Sequence, residues 1–502
     1  MGVRGFRFDG VGAVGAAFAG VASGMLLLLG LARAGNGNAG AAGENYDLVI
    51  ANGRVMDPES GLDGVRSVGI RGGKVVALSE KPLTGNTFID AKGLVVAPGF
   101  IDLHEHGQEP RNYQFQAHDG VTTSLELEAG TDDIEKWYVA REGKALINFG
   151  VSVGHIPVRM KVMHDSGGFL PTGDAAHRAA KPEELQEMIA AMERGFRQGA
   201  LAEGMGVNYT AAASHEEIVE MFRLAANYGA SVHVHLRYAG VKEPTTGLAA
   251  LEEVVAAAAE TGAPLHVVHI TSMGLRNTPD LIAMVEGARR HGLDVTTECY
   301  PYTAGSTALQ SAVFDPGWQE AMGITYKDIQ WAETGERLTA ETFEKYRKQG
   351  GIVVIHSIPE EAARTAVSNP MVMIASDGMM ITGAKVHPRG QGTFSRVLGH
   401  YVREEKALAL MTALRKMTLM PAQRLEKRAP AFQNKGRIRI GSDADITVFD
   451  AGRVIDKATY DDPLEYSEGI QFVLVNGVPV VKDGRLIEGV FPGRAARALI
   501  SQ

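Results

Sequence analysis

Two things are scarce in this sequence: cysteine and an excess of positive charge. Cys299 stands alone, in the apolar-flanked run Val295-Thr-Thr-Glu-Cys-Tyr300. No intramolecular disulfide can therefore staple the chain, and a buried thiol is the simplest reading of Cys299. A formal net charge of −9 leaves no basic field to hold a phosphate backbone, which argues against nucleic acid and for a small-molecule ligand. What is plentiful is apolar material. With 45% hydrophobic and 22% charged residues, 502 residues suffice for a large core and for more than one domain.

The beginning of the chain reads as an export segment. Arg4 and Arg7 precede an apolar run from Val11 to Ala32, and Ala32-Arg33-Ala34 before Gly35 has the form of a small-residue cleavage site. Residues 1–34 are thus expected to be a signal peptide, directing a periplasmic or secreted protein. An apolar run of about 20 residues can also span a bilayer, so an uncleaved anchor is the alternative and the one route to membrane contact. The small, polar tract that follows, residues 35–45, suits a flexible linker.

Beyond the linker the texture changes twice. Residues 46–97 are short β-like runs broken by turns, as in Asp47-Leu-Val-Ile-Ala-Asn-Gly53 and Lys74-Val-Val-Ala-Leu78, and the same texture returns over residues 426–493. Chain ends often lie close together, so the two stretches are expected to form one small β-domain. Between them, residues 98–425 alternate apolar strands with amphipathic helices, the pattern of a parallel sheet or barrel. Pro182 suits a first helical position, with Leu185, Met188, Ile189, Met192 and Phe196 on one stripe. Ser214 and Glu217 have the spacing of a capping box. Candidate strands are residues 100–106, 121–128, 149–156, 200–207, 231–237, 265–270, 293–299 and 371–376. These eight are enough to close a (β/α)₈ barrel. Residues 308–369 are read as an insertion over its mouth.

Active sites of such barrels form where strands run into the loops that follow them. His104 and His106 end the first candidate strand, one residue apart and so on one face. Glu128 ends the second, His235 the fifth, His269 the sixth, and Asp377 follows the eighth. Imidazoles and carboxylates are the expected ligands of zinc or a similar divalent ion. Periodicity leaves some choices open. His233 shares a face with His235, and His266 lies close before His269; the member nearer the strand end is favoured. Glu126 and Glu128 also share a face, and either could bridge two metals. An acid in so apolar a strand is costly without a cation or a proton. His118, His155, His164, His356 and His400 have no comparable context and read as structural.

Longer motifs carry a resemblance. Pro98-Gly-Phe-Ile-Asp-Leu-His-Glu-His106, Asp119-Gly-Val-Thr-Thr123, His235-Leu-Arg237, Tyr300-Pro-Tyr-Thr-Ala-Gly-Ser306, Ser376-Asp-Gly378 and the long segment from His387 to Arg403 occur in this order. Together they make the chain similar to the N-acyl-D-amino-acid deacylases (D-aminoacylases) of the amidohydrolase superfamily. The resemblance implies a (β/α)₈ barrel with a small β-sandwich built from both chain ends. It implies one or two zinc ions at His104, His106, His235, His269 and Asp377, and an N-acyl amino acid as small-molecule substrate. Tyr300, Ser306 and Arg389 match positions implied to hold the substrate carboxylate. The sequence departs from the family twice: Glu128 falls where a cysteine is usual near the end of the second strand, and Thr271 where a lysine is frequent.

The chemistry expected is hydrolysis of an amide by metal-activated water, because a divalent cation can lower the pKa of bound water to about 7. Asp377 is then the general base and acid, and Arg389 the bidentate partner of the α-carboxylate. Two alternatives are a cyclic-amide or dipeptide hydrolase of the dihydropyrimidinase, dihydroorotase or isoaspartyl dipeptidase type, and a metal-free scaffold on the same fold. The segment from His387 speaks against the first, and the filled ligand positions speak against the second.

Overall fold

In the computed structural model residues 45–383 and 385–500 are described, so the export segment and all of the linker except Asn45 lie outside the described residues. Eight short strands make one parallel sheet in chain order. They are β1 (Phe100–Asp102), β2 (Val121–Thr131), β3 (Asn148–Gly154), β4 (Glu203–Gly206), β5 (Val232–His235), β6 (Leu265–Val267), β7 (Val295–Cys299) and β8 (Val372–Ile374). Strands buried on both faces need no polar side, and all eight are almost wholly buried. The ends of the sheet meet beyond β1 and β8: Asp377 N–H donates to the His104 carbonyl (2.7 Å) and His106 N–H to that of Gly378 (2.8 Å). This is the (β/α)₈ barrel. Seven of the eight strands are shorter than the apolar runs that announce them, and β2 runs three residues past its own. In particular β1 stops at Asp102, so His104 and His106 stand just past the strand rather than on its face.

The helices follow the apolar stripes. Pro182–Arg197 buries Leu185, Met188, Met192 and Phe196. His215–Asn227 starts with the Ser214 hydroxyl accepting from Glu217 N–H (3.1 Å). The other half of the expected capping box is missing, because the Glu217 carboxylate turns inward to His155 Nε2 (2.7 Å) and to Arg159. A buried cation outbids an exposed backbone amide for that acid.

Both chain ends meet in a second sheet of nine strands. Val95–Pro98 pairs antiparallel with Ile446–Phe449, joining the N-terminal hairpins to the C-terminal ones. Leu48, Ile50, Val68, Ile446, Val448 and Leu474 share one apolar core there. Past it the chain returns beneath the barrel, where Ala496 N–H donates to the Phe149 carbonyl (2.7 Å) and Ala498 N–H to that of Gly199 (3.0 Å).

The insertion is a three-stranded antiparallel sheet of Gly305–Ala308, Ile329–Trp331 and Ile352–Ile355, over a core with Phe314, Trp318 and Phe343. It begins three residues before the expected boundary. It also ends earlier: the helix Glu360–Ser368 packs Ala366 and Val367 into the barrel's own core and serves as the helix before β8.

Candidate active site

The site is assembled at the strand ends from residues that no local pattern could bring together. On β2 the register slips between Glu126 and Thr131, which pair with Val151 and Val153. Such a bulge re-aims side chains, and here it separates the two acids that simple alternation would keep on one face. Glu128 points into the barrel mouth. Its Oε2 lies 3.3 Å from His104 Nε2 and 3.2 Å from His106 Nε2, while its Oε1 lies 2.8 Å from His235 Nδ1 and 3.9 Å from His269 Nε2. Asp377 Oδ1 completes the first side, 3.4 Å from both His104 Nε2 and His106 Nε2. Two donor clusters therefore share one carboxylate. The rival candidates fall elsewhere: His233 bonds Ser231 (3.1 Å), His266 bonds Glu298 and Thr296, and Glu126 sits behind His106.

The outer nitrogens decide what the inner ones can do. His104 Nδ1–H donates to Glu298 Oε1 (2.7 Å) and His106 Nδ1–H to Glu126 Oε2 (2.6 Å). Ser272 Oγ spends its proton on the His269 carbonyl (2.9 Å), so it accepts from His269 Nδ1–H (2.9 Å). In its neutral form each of these three rings therefore presents its Nε2 lone pair inward. His104 Nε2 and His106 Nε2 face each other at 3.3 Å. Facing lone pairs with carboxylate oxygens between them fit a divalent cation, and outer acceptors that fix the tautomer are the usual support of such a site. His104, His106 and Asp377 form one group able to hold an ion, and His104, Glu128 and His269 another.

Burial lowers His104 and His106, but Asp377, Glu128 and Glu298 around the first and Glu126, Asp377 and Glu128 around the second outweigh it and raise both well above the usual imidazole value, so the cluster attracts positive charge. Burial pushes the Glu128 carboxyl up, but bonds to His104, His106, His235 and His269 outweigh it and hold the group well below the usual carboxylate range. Burial likewise raises Asp377, and Arg389 beside it, with His104, brings it down. Both are ionised at neutral pH. Asp377 has φ 52° and His269 φ 30°, left-handed conformations that cost about 1–3 kcal/mol in a residue with a side chain. Two candidate ligands held this way show that the surrounding fold dictates their direction.

Next to the clusters lies a group of unspent donors. Arg389, only 1% exposed, places Nη1 2.9 Å from Asp377 Oδ2 and its guanidinium over the Tyr300 ring (4.6 Å to the centroid). Its Nε, the Tyr300 hydroxyl and the Ser306 hydroxyl are buried without a hydrogen-bond partner among the described residues. His387 fixes the base of Arg389: its Nδ1 accepts from Arg389 N–H (3.1 Å) and its Nε2–H donates to the Ala304 carbonyl (2.8 Å). Burial, with Arg389 beside it, keeps His387 neutral at ordinary pH. These donors line one cavity together with His106, Glu128, His235, His269 and Asp377, and the insertion helps to wall it with Ser306, Val313, Met322 and Ile355.

Sequence reasoning passed over Glu298, Glu126 in its supporting place, Ser272 and His387. A signal for Glu298 existed, since an acid in the apolar run Val295-Thr-Thr-Glu-Cys carries the same burial cost that singled out Glu128. The histidines set aside as structural have other partners: His155 pairs with Glu217, His356 with Gln330 and His400 with Glu405.

The amidohydrolase family model matches residues 154–481. A D-aminoacylase of Alcaligenes xylosoxydans xylosoxydans is 29% identical over 91% of this chain and 98% of its own length. An N-acyl-D-glutamate deacylase of the same organism is 30% identical over 87% and 94%. Among solved structures, the N-acyl-D-glutamate deacylase of Bordetella bronchiseptica, complexed with zinc and a phosphonate inhibitor, superposes with a TM-score of 0.77 at 27% identity, covering 91% of this chain and all of that one.

Proposed function

Because the chain belongs to the amidohydrolase family, we propose that it hydrolyses the amide bond of N-acyl-D-amino acids, releasing a carboxylate and a free D-amino acid. The observation that carries this reading is the adjacency of two features. One is a cluster of four imidazoles and two carboxylates shared through Glu128; the other is the unspent donor group of Arg389, Tyr300 and Ser306 in the same cavity. The first suits amide hydrolysis and the second suits an anionic substrate.

The residues that would hold zinc, as one ion or two, are His104, His106, Glu128, His235, His269 and Asp377. A divalent ion in that set supplies Lewis acidity to water and to the amide carbonyl. The chain's own groups do the rest. Arg389, with Tyr300 and Ser306, holds the substrate's α-carboxylate, and a guanidinium fork fixes its orientation as well as its charge. That anchors the scissile amide over Glu128 and Asp377. Asp377, ionised in the resting site, accepts the proton of the attacking water on its carboxylate and passes it to the departing nitrogen. The insertion and the apolar residues around Met273 wall the cavity.

The test is a substrate screen of N-acyl-D- and N-acyl-L-amino acids beside hydantoins and β-aspartyl dipeptides. Turnover confined to the N-acyl-D series is expected; preferred cleavage of a cyclic amide would replace the reading. We also propose that the N-terminal segment exports the protein, on the support of Arg4, Arg7 and the apolar run to Ala32. N-terminal analysis of the mature protein checks this, with a start near Gly35 expected.

A further inference from the structure

Arg389 reaches the cavity from one element, and Tyr300 and Ser306 from another. Arg389 opens the helix Arg389–Arg396, whereas Tyr300 and Ser306 bracket the segment that leaves β7. For the three donors to meet one anion, the two elements must be held at a fixed span. At the far end of the helix, Arg396 Nε–H donates to the Pro301 carbonyl (2.7 Å). At the cavity end the tie is His387. Its Nδ1 accepts from the backbone N–H of Arg389 (3.1 Å), and its Nε2–H donates to the carbonyl of Ala304 (2.8 Å), two residues before Ser306. Only the neutral ring protonated on Nε2 does both, because one nitrogen must accept while the other donates.

Packing fixes the pose of this ring. His387 is fully buried, and the rings of Tyr302 and Tyr460 stand nearly perpendicular to it, at 5.5 and 5.2 Å between centroids. Tyr460 belongs to the connection between Ile446–Phe449 and Ile470–Val475, so the sheet built from the chain ends also braces the imidazole. His387 is not among the residues that line the cavity. Any part it takes in the reaction therefore runs through the groups it holds.

We propose that His387 is the positioning residue of the substrate-carboxylate clamp: its imidazole sets the span between Arg389 and the Tyr300–Ser306 segment, and the clamp needs both of its hydrogen bonds. The identity of the anion rests on the deacylase reading. Two substitutions cut the ties one at a time. In His387→Asn the side-chain oxygen takes the place of Nδ1 and the bond to Ala304 is lost; in His387→Gln the amide nitrogen takes the place of Nε2 and the bond to Arg389 is lost. The full zinc-loaded chain and both variants are compared by kcat/KM on N-acetyl-D-leucine, N-acetyl-D-methionine and N-acetyl-D-glutamate, each beside its analogue with a carboxamide in place of the α-carboxylate. Carboxamides too slow to assay are compared through Ki as competitive inhibitors. Wild type is expected to favour the carboxylate by about 100-fold or more. Each variant should lose about 10–100-fold on the carboxylate and less than about threefold on the carboxamide, since a displacement of about 1 Å is enough to cost about 10²-fold. Equal losses on both compounds would make His387 merely structural, and wild-type hydrolysis of the carboxylate by either variant would show that one tie suffices. Either result, or a wild type indifferent to the carboxamide, overturns the inference and leaves the deacylase reading standing. No hydrolysis of any of the N-acetyl-D-amino acids by wild type removes that reading and this inference with it.

Discussion

Asp377 joins three roles in one side chain: an oxygen facing the imidazoles, an oxygen facing Arg389, and a backbone held at φ 52°. Asp377→Asn keeps the shape and removes the proton acceptor. We expect zinc content to stay within about twofold of wild type and kcat to fall about 10²–10⁴-fold, read by metal analysis beside single-substrate kinetics. Near-normal turnover would take Asp377 out of the proton path. Glu298 acts at one remove, through the Nδ1–H of His104, while its other oxygen accepts from His266 (3.1 Å). Glu298→Gln should lower zinc affinity about 10–100-fold while leaving KM for substrate in the zinc-saturated enzyme nearly unchanged. Competition with a chelator of known affinity measures the first, and saturation kinetics the second. Most of the metal-ligand candidates were legible in the sequence, since His104, His106, Glu128, His235, His269 and Asp377 all sit at the ends of apolar runs. The supporting residues were not. Glu298 and His387 owe their place to partners 194 and 83 positions away, His104 and Ala304, and no local pattern reports such pairings.

At the level of elements, the bulge in β2 is what sets Glu128 between the two donor clusters and sends Glu126 behind His106. Alternation alone put both acids on one face, and an irregularity of this kind has no sequence signature beyond Gly130. That glycine has φ +66°, and a Cβ there would come within 2.8 Å of the Gly154 backbone. Gly130→Ala is therefore expected to destabilise the fold by about 1–3 kcal/mol and to weaken zinc binding together with it. Thermal unfolding and metal titration of the same variant check both effects. A second element-level contact is Glu217, which ties the helix His215–Asn227 to His155 and Arg159 of the helix His155–Val162. Burial raises this carboxyl, but His155 and Arg159 outweigh it, so its folded pKa lies below the ordinary 4.5. The folded state then binds fewer protons than the unfolded one in that interval. The contribution is fully present above about pH 4.5 and is lost as pH falls through the lower folded value. Glu217→Gln should flatten the acid side of a stability-against-pH curve measured by urea unfolding; an unchanged slope would remove Glu217 as its source.

At the level of the whole molecule, the two chain ends close one sheet, and the last residues run back beneath the barrel, far along the strands from the metal-ligand ends. Truncation before Arg494 would remove Ala496 and Ala498 from the core and their bonds to Phe149 and Gly199. A lower Tm with unaltered kcat is the expected outcome, because the catalytic loops lie at the opposite end of the strands; a large loss of kcat at temperatures well below Tm would contradict this separation. The barrel and the union of the ends could be read from alternating texture along the chain. The true edges of the insertion could not, because the helix Glu360–Ser368 looks like its neighbours in sequence and is distinguished only by packing on the barrel core. The central claim, that one cluster shared through Glu128 performs metal-dependent deacylation, is tested most directly by stripping the purified protein with a chelator and titrating zinc back. Hydrolysis of an N-acyl-D-amino acid should vanish with the metal and return in proportion to zinc bound at one or two equivalents. Activity that survives complete removal of metal would contradict it.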